Sequence, residues 1–295
     1  MREQKAELGI IGGTGLYEIP GINVKEKVFI DTPWGKPSDE IILAEYETDV
    51  RPVSIAFLPR HGRGHFLSPS EIPHKANLAA LKMLGVDQIV SFSSVGSLKE
   101  EIPPGDFALP GQIFDRTRHR DDTYYGEGVV VHVSFGDPFC GRIADSLEAC
   151  LKKTGIKHHV DETVVCMEGP AFSTRAESIF YQNQIGAGLI NMTVLPEAKL
   201  ARELEICYQM VCMSTDYDSW RESHEAITVE EILKIVKDNS EKATKLLKTF
   251  IPEFAKMSER DCSCKNAVKY SIITAETSRP QATREKLNKV LPGYF

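Results

Sequence analysis

Two aspartates two positions apart, Asp216 and Asp218, carry the strongest chemical signal in the chain. They follow the apolar run 207–213, and a short apolar run bounded by polar residues is typical of a buried strand. Alternation along an extended segment directs both carboxylates to one side, where burial and mutual repulsion favour a protonated form. One of them could then act as a general acid near neutral pH. Taken alone, the same residues fit an ordinary Asx-rich turn better.

Three polar, glycine-containing loops follow other predicted strands and could together hold an anion. Loop 12–15 offers backbone N–H groups and the Thr14 hydroxyl, although a tight turn explains it equally well. Arg60 presents a planar fork that matches phosphate oxygens, and segment 93–97 adds hydroxyls and further N–H groups. Dinucleotide, Walker and hydrolase-elbow motifs do not match these loops. At the carboxyl ends of neighbouring strands, the loops would converge on one tetrahedral anion.

Segment 168–177 places an aromatic ring at a predicted strand-to-helix corner. Ser173 or Thr174 is the expected helix N-cap. Phe172 could stack on a purine, although a lone phenylalanine is more often part of a core.

Segment 191–197 contributes a second group of candidates. Met192 is a soft apolar wall suited to a sugar face, and Thr193 adds a hydroxyl near the predicted anion. Glu197 is predicted to start a helix, unless it binds sugar hydroxyls or orients a neighbouring side chain.

Histidine and cysteine spacing gives no expectation of a metal. His61 and His65 are four positions apart, but intervening glycines disfavour the helix that would bring them to one face. Of the seven cysteines, five lie in apolar segments and are expected to be buried thiols. Cys262 and Cys264 lie in a polar stretch and could form a redox-active or stabilising bridge. A zinc site usually needs two such pairs, so their role stays open.

Composition limits the class of protein. The chain has 295 residues, 42% hydrophobic and 26% charged residues, and a formal net charge of −7. This charge disfavours nucleic-acid binding. No apolar run is long enough for a membrane span, and no signal-peptide core follows the first residues. We therefore expect a cytoplasmic protein without nucleic-acid or membrane partners.

Strand-like and helix-like segments alternate, which predicts an α/β fold with a parallel or mixed sheet covered on its faces. The predicted strands are 8–11, 53–58, 88–92, 107–109, 129–133, 163–167, 188–192 and 208–213, and the predicted helices are 71–83, 140–154, 175–183, 197–204 and 229–249. The pattern weakens after about residue 255. We predict one domain over 1–255 and an extension over 256–295 that is partly helical or poorly ordered.

Taken in order, these motifs resemble the trimeric purine nucleoside phosphorylase family. The segments that carry the resemblance are 9–16, 31–33, 35–39, 60–63, 96–98, 168–170, 172–177, 191–193, 196–197 and 215–218. The resemblance covers about residues 8 to 250 and implies a nucleoside phosphorylase fold, with a mixed sheet or distorted barrel flanked by helices. It also implies a homotrimer with shared active sites, inorganic phosphate as co-substrate, and no cofactor or metal.

The resemblance also implies residue roles. Phosphate would be bound by Thr14, Arg60, His61, Ser93, Ser94 and Thr193. The nucleoside would contact Phe172, Ser173, Met192, Asp216, Asp218, Val229 and Ile232, and His132 would reach the neighbouring subunit's pocket. Asp218 is the first candidate for the acid, with Asp216 second. Relatives often have Thr-Ala in place of Ser93-Ser94, and a C-terminal helix closes over the 5′ substituent.

The implied activity is phosphorolysis of S-methyl-5′-thioadenosine to adenine and 5-methylthioribose 1-phosphate, a step of purine and methionine salvage. Family enzymes specific for 6-oxopurines have Asn where this chain has Asp216, which favours 6-aminopurines here. Phosphorolysis of adenosine or inosine is the nearest alternative. A hydrolytic nucleosidase would have no need of Arg60 and the anion loops, and a non-catalytic nucleoside-binding protein is the alternative from another class.

Overall fold

Strands and helices alternate along the part of the chain that the structure describes. The computed structural model describes residues 5–13, 19–221, 229–257 and 260–295, without the side chains of 229–233. The strands are Leu8–Gly12 (β1), Ile22–Val28 (β2), Ile41–Tyr46 (β3), Val53–Pro59 (β4), Gln88–Ser97 (β5), Phe107–Arg116 (β6), His158–Met167 (β7), Leu189–Asn191 (β8) and Cys207–Tyr217 (β9). The α-helices are His74–Met83 (α1), Gly141–Thr154 (α2), Arg175–Phe180 (α3), Val194–Glu203 (α4), Val229–Lys256 (α5) and Gln281–Asn288 (α6).

The strands form one mixed sheet that closes on itself. Their order is β2-β3-β4-β1-β5-β8-β7-β6-β9, and β9 also pairs with β5. Strands β5, β8, β7, β6 and β9 therefore close into a barrel, while β1 to β4 extend it. Because β4, β1, β5 and β9 are joined by parallel pairings, their carboxyl ends lie at the same edge of the sheet. The predicted α/β class with a mixed sheet or distorted barrel is confirmed.

Helices cover the sheet on both faces through two large apolar clusters. One cluster packs α1 and α4 through side chains such as Leu78 and Leu200. The other packs α2 and α5 through Leu147, Leu246 and Phe250. These residues recur at helical spacing on one face of each helix, as amphipathic helices require. The two layers hold the strands, and hence the strand ends, in place.

Several predicted elements differ from the structure, and β2 and β3 were not predicted. Segment 93–97, predicted as a loop after a strand, is the second half of β5, so Ser93 and Ser94 lie within the strand. The run 129–133 is not a strand of the sheet, because it forms only isolated bridges, Gly126 with Val129 and Val131 with Ile272. Strand β9 continues past its apolar run to Tyr217, because the polar residues 214–217 pair with β5. Backbone pairing thus overrides side-chain polarity at this position. Asp216 consequently lies within the strand rather than beyond it.

The C-terminal segment packs on the rest of the chain. Leu287, Val290 and Leu291 are buried in the same cluster as α1 and α4. Glu205 accepts hydrogen bonds from the Val268 backbone N–H at 3.0 Å and from the Tyr294 hydroxyl at 2.9 Å. The division at residue 255 stays a prediction. Within the described ranges, none of the helices combines the length and the apolar character that crossing a membrane requires.

Candidate active site

Strand β5 forms the centre of the site, because its neighbours on both sides carry predicted site residues. It pairs in parallel with β1 and β9, and its last two residues pair with β8. Ser93 and Gly96 on β5 are three positions apart, about 10 Å along an extended strand. Two clusters of polar side chains form around these two positions.

Arg60 follows β4 and is buried beside Glu197 of α4. Its Nε donates to Glu197 Oε2 at 2.8 Å and its Nη2 to Oε1 at 3.2 Å. Its Nη2 also donates to Ser91 Oγ, and its Nη1 donates to the Phe92 carbonyl at 3.2 Å. These contacts use four of the five N–H donors of a guanidinium. Among the described residues, one donor on Nη1 has no partner, and this donor is available to a bound anion.

The Arg60–Glu197 pair stays ionised although both groups are fully buried. Burial opposes the charge of Glu197, but the Arg60 guanidinium outweighs this and holds the Glu197 pKa below its usual value. Burial likewise opposes the charge of Arg60, and Glu197 raises the Arg60 pKa in return. Glu197 also accepts from Ser91 Oγ at 2.6 Å and from the Tyr208 hydroxyl at 2.7 Å. The guanidinium is therefore fixed by the fold.

Ser93 and Thr193 lie together next to this pair. Their hydroxyl oxygens are 3.3 Å apart, and Asn191 Nδ2 donates to Ser93 Oγ at 2.8 Å. Asn191 Oδ1 accepts from the backbone N–H groups of Thr193 and Val194, both at 2.7 Å. The asparagine thus holds the first residues of α4 against β5. Arg60 contacts the backbone of Phe92, the residue before Ser93, so Arg60, Ser93 and Thr193 lie in one region of the structure, and their binding of phosphate stays a prediction.

His61 is held as a neutral imidazole. Burial lowers its pKa most, the hydrogen bond to Leu67 and the charge of Glu197 raise it, and the nearby Arg60 and His65 lower it, with a net pKa of about 4. Its Nδ1 donates to the Leu67 carbonyl at 2.8 Å, since a carbonyl only accepts. The lone pair of Nε2 stays available. Of the other predicted phosphate residues, Ser94 is exposed and Thr14 lies outside the described residues.

Asp216 and Asp218 meet at Gly96. A methyl group placed on Gly96 would lie 3.7 Å from Asp216 Oδ2 and 3.5 Å from the Cβ of Asp218. The β5–β9 register shifts here, with Val95 opposite Ser214 and Gly96 opposite Asp216. This irregularity, a β-bulge, redirects the side chains that follow it. The side chains of both aspartates thus lie beside the same glycine of β5.

The two carboxyl groups differ in their surroundings. Burial raises the pKa of Asp216, its hydrogen bond from Thr215 Oγ1 at 2.7 Å lowers it, and the charge of Asp218 raises it, with a net rise. Asp218 is buried, and its Oδ2 has no hydrogen-bond partner among the described residues. A buried unpaired carboxyl oxygen costs free energy. A ligand that supplies the missing hydrogen-bond partner can offset this free-energy cost.

The predicted corner at 172–174 also lies near the carboxylates. Thr174 is the N-cap of α3 in a capping box with Glu177, so the second of the two predicted caps is correct. Ser173 is buried, with its Oγ 3.7 Å from Met167 Sδ, and its carbonyl accepts from Ser219 Oγ at 2.8 Å. Phe172 is 78% exposed. Its ring is free to contact a ligand at the rim.

The remaining predicted residues form no hydrogen bond with the two clusters in the described part of the chain or lie outside the described side chains, although Met192 lies between Asn191 and Thr193 in the chain. Met192 packs over Gly169, where an added methyl group would lie 2.6 Å from the Met192 sulfur. His132 is exposed, and its backbone N–H donates to the Ser271 carbonyl at 2.9 Å. The side chains of Val229 and Ile232, at the start of α5, lie outside the described residues.

Two residues of the site lie beyond what sequence reasoning assigned. Glu197 orients Arg60, which the sequence left as one of several possibilities. Arg120 had no assigned role, yet its Nη1 donates to the backbone carbonyls of Met192 and Leu195, each at 2.5 Å. Its Nη2 donates to the backbone carbonyl of Glu168 at 2.8 Å. Because a buried arginine needs a counter-ion, a search for a carboxylate partner of Arg60 could have identified Glu197.

Comparison with known proteins defines the class. The profile of the Phosphorylase superfamily matches residues 7–252. The S-methyl-5′-thioadenosine phosphorylase of Schizosaccharomyces pombe is 52% identical over 260 residues, which is 85% of this chain and 82% of the relative. The relative of the same name from Koribacter versatilis is 45% identical, over 99% of this chain and 97% of its own length.

Solved structures agree. A methylthioadenosine phosphorylase from an antarctic soil metagenomic library has a TM-score of 0.93 at 40% identity, covering 98% of this chain and all of its own. A double mutant of the adenosine/methylthioadenosine phosphorylase of Schistosoma mansoni, in complex with adenine, has a TM-score of 0.82 at 31% identity, over 91% and 99% of the two chains. The chain belongs to the phosphorylase superfamily and, within it, to the family of S-methyl-5′-thioadenosine phosphorylases. The predicted family is confirmed.

Proposed function

We propose that this chain catalyses the phosphorolysis of S-methyl-5′-thioadenosine to adenine and 5-methylthioribose 1-phosphate. One observation carries the proposal: the Asp216–Asp218 pair faces the same strand, β5, that carries Ser93 beside Arg60. An acid for a purine and donors for an anion are therefore fixed to one element. The names of the relatives, which span nearly the whole chain, support the choice of substrate.

At the anion end, phosphate would accept from the hydroxyls of Ser93 and Thr193 and from the free Nη1 donor of Arg60. The Nε2 atom of the neutral His61 would accept a hydrogen bond from a protonated phosphate oxygen. Placed below the sugar, the anion stabilises the positive charge that develops at C1′ as the bond to N9 breaks. A phosphate oxygen then forms the new bond to C1′, and positioning supplies much of the rate.

At the purine end, the electron pair of the broken C1′–N9 bond goes to the adenine ring. The ring is a poor leaving group until N7 gains a proton. We assign the donor of this proton to Asp218, because its Oδ2 is buried without a partner among the described residues. Asp216, whose pKa is raised by burial, would contact the 6-amino group.

The finer expectations about assembly and location accompany this proposal. We expect a cytoplasmic homotrimer acting in purine and methionine salvage without an organic cofactor, in which the exposed His132 meets the neighbouring subunit's pocket. Met192 would line the ribose and Phe172 the purine, with Ser173, Val229 and Ile232 completing the nucleoside pocket.

Product analysis with and without phosphate tests the proposal. We expect adenine and 5-methylthioribose 1-phosphate from S-methyl-5′-thioadenosine only when phosphate is present. Free 5-methylthioribose, formed equally without phosphate, would indicate a hydrolase. Binding of the nucleoside without turnover in phosphate would indicate a non-catalytic protein.

Adenosine is a second candidate substrate, because the related Schistosoma mansoni protein is an adenosine/methylthioadenosine phosphorylase. Comparing kcat/KM for S-methyl-5′-thioadenosine, adenosine and inosine separates the possibilities. We expect inosine to be the poorest substrate, because a 6-oxo group cannot donate to Asp216. A preference for inosine would reject the assigned role of that carboxylate.

A further inference from the structure

Four cysteines that are distant in sequence converge at one point away from the proposed active site. They are Cys140, Cys207, Cys262 and Cys264. Their sulfur atoms all lie within 4.8 Å of one another, and three of the four residues are buried. The Cys262 sulfur is 3.8 Å from that of Cys140 and 3.3 Å from that of Cys207. Cys140 and Cys207 thus supply the second cysteine pair that the sequence pattern lacked.

We propose that these four cysteines form a structural zinc site. With Zn–S bonds of about 2.3 Å, the sulfurs of a tetrahedral site lie about 3.8 Å apart, close to the spacings found here. Four sulfur ligands in this arrangement select zinc or iron over harder cations. Zinc sites in which the protein supplies all four ligands are structural, because no position is left for a substrate.

The surroundings suit a cluster with net negative charge. Cys140 is the N-cap of α2, where the positive end of the helix dipole favours a thiolate. Arg260 Nη1 lies 4.0 Å from the Cys207 sulfur, and its Nη1 and Nε are held by the Glu205 carbonyl at 2.7 Å and by Asp87 at 3.0 Å. A cation is therefore fixed beside the ligands, as metal sites with supporting contacts require.

A route for the ion is also present. A cavity of about 430 Å³ borders Cys140, Cys262 and Cys264. A metal site needs an entry path as well as a complete ligand set, and this cavity provides one without opening the core.

The site would fasten three parts of the fold. It joins the start of α2, the first residue of β9 and the segment after α5, and thus anchors the C-terminal segment that packs on the body of the protein. From Cys207 to Tyr217, β9 extends about 33 Å. Loss of the metal should accordingly change stability and leave the chemistry at Asp218 in place.

Metal analysis of the full-length protein, purified under reducing conditions without chelator, tests the proposal. The test variant is Cys262→Ser, because this cysteine is the least buried of the four. The matched control is Cys150→Ser, which alters a buried thiol of α2 outside the cluster. We expect about one zinc per chain in the wild type and the control, and loss of most of it in Cys262→Ser. A chelator should lower the unfolding temperature only in the two proteins that hold zinc.

A second measurement needs no variant. Reduced, metal-stripped wild-type protein titrated with Co²⁺ should develop the thiolate-to-cobalt charge-transfer and visible bands of a tetrahedral sulfur site, saturating at one equivalent. Protein that takes up neither Zn²⁺ nor Co²⁺ when fully reduced would overturn the proposal. So would intact disulfides among these cysteines after purification under reducing conditions, or one iron per chain in place of zinc.

Discussion

The two ends of the proposed active site are built differently. At the Arg60 end, the buried charges are paired within the protein: Glu197 takes two hydrogen bonds from the guanidinium, and Ser91 and Tyr208 complete its partners. At the Gly96 end, the side chains of two aspartates lie beside one glycine, and one buried oxygen of Asp218 has no partner in the described structure. Among the described residues, the charged groups of the first end are paired with each other without ligand, whereas one carboxyl oxygen of the second end has no partner.

The difference indicates how the free energy of ligand binding is divided. Donors fixed in advance at the anion end stabilise developing charge without reorganising. At the purine end, the Asp218 oxygen without a partner among the described residues raises the free energy of the empty site, and a purine that supplies a hydrogen-bond partner relieves it. Substitutions at the anion end should therefore act on stability, and those at the purine end on turnover.

The largest expected effect is that of Asp218→Ala on turnover. Loss of a general acid reduces kcat by about 10²–10⁴-fold, while the KM for phosphate should change by less than about threefold because the Arg60 end is separately held. Steady-state kinetics with either substrate varied measures both. Asp218→Asn keeps the shape and is the companion variant, expected to lose nearly as much turnover. An equal loss of turnover and phosphate affinity would remove the distinction between the two ends.

The next effect is on folding. Glu197→Gln leaves Arg60 buried beside a neutral amide, and breaking a buried ion pair destabilises by about 3–5 kcal/mol. Urea unfolding should show this loss. The control is Glu253→Gln, which breaks a half-exposed pair with Lys256 at 3.1 Å and should cost less than about 1 kcal/mol. Similar losses in the two variants would mean that the anion end is not preorganised by its ion pair.

The sequence predicts one part of these two ends better than another, because local patterns identify only residues that are close to each other in the chain. The Asp216–Asp218 spacing, the polar loops and Arg60 were recognisable, because the residues lie next to strands that local pattern identifies. Glu197 is 137 positions from Arg60, and no local pattern tells a helix-start carboxylate from a buried counter-ion. Only the fold brings the two together.

Element boundaries show the same limit. Strand β9 runs to Tyr217 because β5 satisfies its backbone, whereas the apolar run 129–133 reads like a strand but pairs only through isolated bridges. The cysteines are a further case, because Cys262 and Cys264 lacked a visible second pair until the fold placed Cys140 and Cys207 beside them. Patterns that depend on long-range pairing were therefore the ones missed.

A smaller effect is expected for Gly96→Ala, which tests whether this glycine makes room for the two aspartate side chains of the purine end. The added methyl group would lie 3.0 Å from Ile190 Cγ2, within reach of both carboxyl groups. Overpacking of this kind costs about 1–3 kcal/mol, and displacement of the acid should lower kcat on the order of tenfold. Gly136→Ala is the control, since nothing lies within 4 Å of its added methyl group. Unchanged kcat in Gly96→Ala would separate this glycine from the purine end.

The smallest effect is on the pH dependence of stability at the anion end. Burial lowers the pKa of His61 to about 4 from a reference of 6.5, so between these values the unfolded chain binds more protons than the native protein. The stability that this neutral imidazole contributes is complete above pH 6.5 and is lost as pH falls toward 4. His61→Gln should flatten the pH slope of the unfolding free energy in this window.

The matched control for that slope is His119→Gln, which replaces an exposed histidine and should leave it unchanged. Glutamine can still donate to the Leu67 carbonyl, so His61→Gln keeps the loop contact and removes only the titration. Because the raised pKa of Asp216 acts in the opposite sense, favouring the native state at low pH and losing that contribution as pH rises, the double variant His61→Gln, Asp216→Asn should differ from each single one. If the effects of the two substitutions on the pH slope are additive, the two ends titrate independently. A non-additive effect would show that the charge at one end affects titration at the other end.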